Sequence, residues 1–206
     1  MTFDPTDEVR VALRADPLVR SVALVGSRGD GTATRLSDWD YHVGSSDPVA
    51  VALRLPDLVR PLRPLSHLWD PLARHPVYML LMVQASGAPV VKVDLFLDLP
   101  ERRPAAGPSA TDAADLRGVD AHFWDWTLWL GGKRLRGAQT LVRDELVRMW
   151  EHLLRPMGCQ TAPTTQREAI AEYLRLRRRQ EERQGVHVEP ELGIAVQRTL
   201  AAAGLR

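Results

Sequence analysis

The segment from Val22 to Val43, VALVGSRGDGTATRLSDWDYHV, constrains this chain more than any other part of it. Val22-Ala-Leu-Val25 is an aliphatic strand core that ends abruptly on Gly26-Ser27. After ten intervening residues, Asp38-Trp39-Asp40 opens a second short run that alternates through Val43. Successive side chains of a strand point to opposite faces, so Asp38, Asp40 and His42 share one face while Trp39, Tyr41 and Val43 share the other. The two carboxylates are then close enough to share divalent cations, and Mg²⁺ favours carboxylate oxygens together with phosphate oxygens and retained waters. Gly26 lets the backbone approach a phosphate closely, and Ser27 offers a hydroxyl and an amide donor.

The remaining pattern divides the chain by texture. Thr6 to Ala15 reads as a short helix stopped by Asp16-Pro17, because the residue before proline avoids helical angles. Leu18 to Val25 reads as a strand, and a Gly/Thr-rich loop runs to Ser37. Asp47-Pro48 supplies an N-cap and first helical position for a helix from Val49. Val77 to Val83 and Val90 to Leu97 are β-rich runs that should pair as an antiparallel hairpin across the turn residues Ser86 to Pro89. In the second run Val91, Val93, Leu95 and Leu97 share a face, opposite Lys92, Asp94, Phe96 and Asp98. A Pro/Gly-rich linker follows, and beyond it strand signals cease. Helices are expected over Ala121 to Leu130, Ala138 to Leu154, Gln166 to Glu182 and Glu189 to Ala203, with Gly131-Gly132, Pro156-Met157-Gly158 and Gly185 as breaks. The expected organisation is an α/β domain over residues 1–99, a linker over 100–113 and a helical domain over 114–206.

Asp94 is the natural third carboxylate, since it lies on a neighbouring strand and on the face opposite the valines and leucines. Asp98 is the alternative on the same face, but it falls where the strand runs into Leu99-Pro100. Three acids suit two divalent ions about 3.5–4 Å apart, which can clamp the attacking and leaving oxygens of a phosphoryl displacement.

Gly-Ser, a ten-residue spacer, Asp-x-Asp and a later strand acid resemble the DNA-polymerase-β-type nucleotidyltransferase superfamily. The similar branches are the small bacterial aminoglycoside and lincosamide nucleotidyltransferases and the minimal antitoxin-type proteins. The match spans Val22 to Leu97, with Trp39 in place of the small aliphatic residue common between the aspartates. The resemblance implies an α/β (α+β) fold with a mixed sheet and helices, followed by an all-helical C-terminal bundle. It implies that Gly26 and Ser27 bind a triphosphate, that Asp38 and Asp40 hold Mg²⁺, in all two ions, and that Asp94 is a third ligand or the general base. The expected reaction moves a nucleoside monophosphate, AMP from ATP first, to a hydroxyl of a small acceptor and releases pyrophosphate. An antibiotic acceptor is suggested by the family alone. The alternative is an antitoxin-type protein that binds or nucleotidylates a partner protein, and a third reading is a binding module with a degenerate site.

Other residues carry weaker signals. Arg28 either meets the triphosphate or is a surface arginine, while Arg35 should be solvated and His42 hydrogen-bonded. Phe123, Trp124, Trp126 and Trp129 read first as core, with one tryptophan available to a pocket. Lys133, Arg134 and Arg136 follow the expected glycine break, and Lys133 is the choice to reach the triphosphate. Asp112, Asp115, Asp120 and Asp125 could face a cationic acceptor. The run Arg175 to Arg183 should be a solvated face.

Composition narrows the partners. With 27 basic and 26 acidic residues the net charge is +1, so no long nucleic acid is expected. The 45% apolar content of the 206 residues fits a globular core. One cysteine, Cys159, excludes an internal disulfide, and the six histidines lack zinc-ligand spacing. Apolar runs are too short for a bilayer span and the first residues do not resemble a secretory signal, so a cytoplasmic location is expected. A homodimer or a protein partner is compatible with the aromatic helix.

Overall fold

Val77–Val83 is apolar throughout except for a single tyrosine hydroxyl, and this run becomes β4, a strand buried on both faces. It belongs to a computed structural model that describes residues 5–73, 75–83, 89–99 and 115–205. The order of elements before it is α1 (Pro5–Arg14), β1 (Val19–Val25), α2 (Gly26–Gly29), β2 (Trp39–Ser45), α3 (Pro48–Val59), a 3₁₀ turn (Arg60–Leu62) and β3 (Ser66–Trp69). After β4 come β5 (Val90–Leu97), α4 (Leu116–Leu135), α5 (Gln139–Met149) with a π-turn (Trp150–Leu154), α6 (Gln166–Gln184) and α7 (Glu191–Ala202). The fold is mixed α+β with a helical C-terminal region. The chain divides into two compact units, one of Met1–Ala33 with Ser37–Ala106 and one of Thr34–Leu36 with Gly107–Arg206.

In the first unit the sheet has five strands in the order β1-β2-β5-β4-β3. β1 pairs antiparallel with β2, β4 and β5 form the expected antiparallel pair, and β2 runs parallel to β5. The hairpin's expected turn at Ser86-Gly87-Ala88 lies outside the described residues, as does the expected linker from Pro100 to Ala113. One sheet face carries Val22, Tyr41, Val43, Tyr78, Leu80, Val93, Leu95 and Leu97 onto Val9 and Leu13 of α1 and Val51, Leu55 and Val59 of α3. Full burial of each such aliphatic side chain is worth about 1.5–3 kcal/mol, which fixes the facing of every strand. α3 starts as its sequence dictates: Asp47 Oδ1 accepts from the Ala50 amide at 2.9 Å, and Pro48 occupies the first turn. β3 and the single turn α2 have no counterpart in the sequence reading, being too short to show a period.

The helical unit departs from expectation at Gly131-Gly132. α4 passes straight through both residues to Leu135. These glycines are present for close packing: a Cβ on Gly132 would sit 2.9 Å from the Leu36 carbonyl oxygen, and one on Gly131 would collide with Leu200. Helix propensity alone, about 1 kcal/mol per glycine, does not break a helix held this tightly. Phe123, Trp124 and Trp126 are all buried, with Phe123 stacked on Tyr173 at 3.8 Å. Around them Asp120 Oδ1 accepts from Trp124 Nε1 (3.1 Å), the Tyr173 hydroxyl (2.5 Å) and Arg177 Nη1 (3.1 Å). Two expectations therefore change. Arg177 belongs to the core, because its charge is answered there, and Asp120 is a structural acid. Arg35 is also engaged, donating to the Ala203 carbonyl. Among the described residues, no helix is long and apolar enough to cross a membrane.

Gly193 of α7 lies against the Trp124 indole, where a Cβ would come within 2.6 Å of the ring. Trp124 is wholly buried and hydrogen-bonded, so it cannot yield cheaply. Gly193→Ala is expected to cost about 1–3 kcal/mol in denaturant unfolding, in spite of the up to ~1 kcal/mol that alanine gains in a helix. A variant more stable than the parent would show that the indole can slide.

Candidate metal and nucleotide site

β2 and β5 meet in a register that pairs Asp40 with Asp94. Because the Tyr41 and Leu95 faces are locked into the core, both carboxylates emerge on the opposite face of the sheet. Asp38, just before β2, joins them. Each of these three acids offers an oxygen within 4.8 Å of the other two, with Asp94 buried and the others half-buried. A set of hard carboxylate oxygens at this spacing suits Mg²⁺ or Mn²⁺ and disfavours softer, thiolate-seeking metals.

Gly26 closes one side. It follows β1 with φ +64, and a Cβ there would collide with the Asp40 carboxylate, its Cγ lying 3.1 Å away. Both conformation and space therefore require glycine. Beyond it the chain turns once as α2, with the Asp30 amide on the Gly26 carbonyl at 2.9 Å and the Thr32 amide on the Ser27 carbonyl at 2.8 Å. Val25 pairs with Asp40 in the β1–β2 ladder, so the Gly-Ser corner and the second aspartate adjoin.

Arg28 has a defined place. Its Nε donates to the Ser37 and Asp38 carbonyls at 3.1 and 3.2 Å, its Nη2 donates to Ser37 at 2.7 Å, and its Cζ lies over the Trp39 ring, 4.1 Å from the ring centre. The guanidinium thus ties the loop's end to its beginning and fixes the entry into β2. The bidentate grip and the stacking explain why a planar cation, not a lysine, occupies this position. Trp39, partly buried against the core, is the platform for this clamp.

The sequence places Lys92 beside Asp94 on one strand face and assigns it nothing further. Two residues earlier on β5 and on the same face, it is buried and its ammonium pairs with Asp94 Oδ1. The i, i+2 spacing of Lys92 and Asp94 was the available signal. Asp98, the alternative third acid, points elsewhere: it is exposed and pairs with His42 Nε2 at 3.1 Å. Lys133 lies in the last turn of α4 in the helical unit, with its ammonium 4.5 Å from the Trp129 ring centre.

Gly26→Ala is expected to displace the Asp40 carboxylate and weaken Mn²⁺ binding about tenfold or more, while circular dichroism keeps the parent's secondary structure. Parent-like Mn²⁺ affinity would mean that Asp40 contributes little to holding the ion.

No protein-family model and no curated protein matches this chain. Among solved structures, the crystal structure of an aminoglycoside 6-adenyltransferase from Bacillus subtilis aligns with 100% of this chain and 98% of its own, at 11% sequence identity and a TM-score of 0.32.

Proposed function

We propose that this chain is a Mg²⁺-dependent nucleotidyltransferase that moves a nucleoside monophosphate, AMP from ATP in the first instance, onto a hydroxyl of a small acceptor. The observation that carries this reading is the convergence of Asp38, Asp40 and Asp94 within 4.8 Å, beside a Gly-Ser corner whose glycine abuts Asp40. Stability alone does not select such a cluster, since close carboxylates repel one another.

Asp38, Asp40 and Asp94 would hold the divalent ions, which when bound supply charge neutralisation for the triphosphate and its leaving group. Ser27 and the amides that follow Gly26 would meet the phosphate oxygens. The acceptor oxygen forms a bond to the α-phosphorus as the bond from that phosphorus to the bridging oxygen of the β-phosphate breaks. Pyrophosphate departs with that electron pair. Asp94 orients the acceptor hydroxyl as a ligand or takes its proton as the base. In this reading Arg28 acts through the loop, holding the Ser37 and Asp38 carbonyls so that the first carboxylate is in place before substrate arrives.

Titration calorimetry with a non-hydrolysable ATP analogue, with and without Mg²⁺, tests the site. Mg²⁺-dependent binding is expected for the wild type and its loss for Asp38→Ala. With an acceptor in hand, Asp38→Ala/Asp40→Ala should lower turnover about 10³-fold or more, because several kcal/mol of charge stabilisation is removed. A double variant that still turned over nucleotide at the wild-type rate would sink the proposal.

A further inference from the structure

Lys92 is 5% exposed and Asp94 9% exposed, and the two lie on the same face of a central strand. A buried ammonium needs partners, and Oδ1 of the third acid of the cluster is one of them. Its position is not adjustable. Val93 and Leu95 are wholly buried on the other face, and β5 is flanked on both sides by paired strands, so Lys92 and Asp94 are held beside each other by register. Across the ladder with β4, Lys92 pairs with Leu81 and Asp94 with Met79, neither of them charged; on the β2 side Asp94 pairs with Asp40, and the Trp39–Val93 pairing sets Asp38 next in line beside Lys92.

We infer that Lys92 is the resident counter-ion of Asp94, neutralising that carboxylate in the ion-free protein and competing with a divalent ion for its Oδ1. The inference rests on the metal-dependent reading above and adds to it a positioning residue of defined effect. Asp94 is held ready on the sheet without an ion, so the cluster tolerates its own repulsion. The same ammonium lowers the affinity of the site for a bare cation, by direct repulsion and by occupying a ligand oxygen. A triphosphate that brings its own negative charge removes this handicap, so ion binding becomes coupled to nucleotide binding. A lysine that served only to orient Asp94 for the ion would have the opposite effect on bare-ion affinity, and the two roles separate by sign.

The test is Mn²⁺ binding followed by electron paramagnetic resonance, with Mn²⁺ alone, on wild type, Lys92→Met and Lys92→Arg, alongside thermal melts with and without the ion. Lys92→Met should bind Mn²⁺ about tenfold or more tightly than wild type and show the larger Mn²⁺-induced rise in melting temperature, whereas Lys92→Arg should stay within about threefold of wild type. The gain should vanish when Lys92→Met is combined with Asp94→Asn. Equal or weaker Mn²⁺ binding by Lys92→Met overturns the inference and leaves the proposed function standing. A wild type that binds no Mn²⁺ even with an ATP analogue present removes the proposed function itself. If Lys92→Met does not fold without the ion, Lys92→Gln carries the same expectation. Recovery of either fold on adding Mn²⁺ supports the counter-ion role, and failure of both to fold at saturating Mn²⁺ overturns it.

Discussion

The parallel pairing of β2 with β5 is the constraint on which the rest of this molecule depends. α3, β3 and β4 all intervene in the chain between these strands, yet their register sets Asp40 opposite Asp94. A slip by one residue would turn Asp94 into the apolar core and Val93 out of it, a change that neither face could absorb. What prevents the slip is hydrophobic: Tyr41, Val43, Val93 and Leu95 have places only against α1 and α3. The carboxylate-bearing face is thus specified by the apolar face opposite it. Period-2 geometry transmits the order of the core directly to the carboxylates.

Much of this arrangement was legible in the sequence, and the reason is local. Asp38-x-Asp40 alternates with core residues at the entry to one short strand, so facing follows from spacing. The hairpin of β4 and β5, the Asp47 cap and the polar face of Asp94 follow in the same way. Residues whose role is set by distant partners were not legible. Gly131 and Gly132 look like a break until Leu200 and Leu36 are placed against them. Arg177 looks solvated beside its charged neighbours until Asp120, far back in the chain, is seen to receive it. Arg28 left two readings open because its carbonyl partners and Trp39 lie across a loop whose path the sequence does not give.

Asp120 and the acids of the sheet face are treated in opposite ways, and the contrast bears on the proposed function. Asp120 is buried in the helical unit, where desolvation pushes its carboxyl above the ordinary range against the pull of Tyr173, Arg177 and Trp124. All three of those donors reach one oxygen, so the charge is answered by groups that are themselves part of the core. That is how a protein keeps an acid for structure: it surrounds it with donors. The sheet face in the first unit crowds Asp38, Asp40 and Asp94 together instead and sets a buried ammonium against one of them. Replacing such a group by apolar residues is commonly neutral or stabilising in a protein interior. A fold that retains it gives up stability for the arrangement, and three carboxylate oxygens at this spacing are a set that a divalent ion could occupy, as the proposed reading requires.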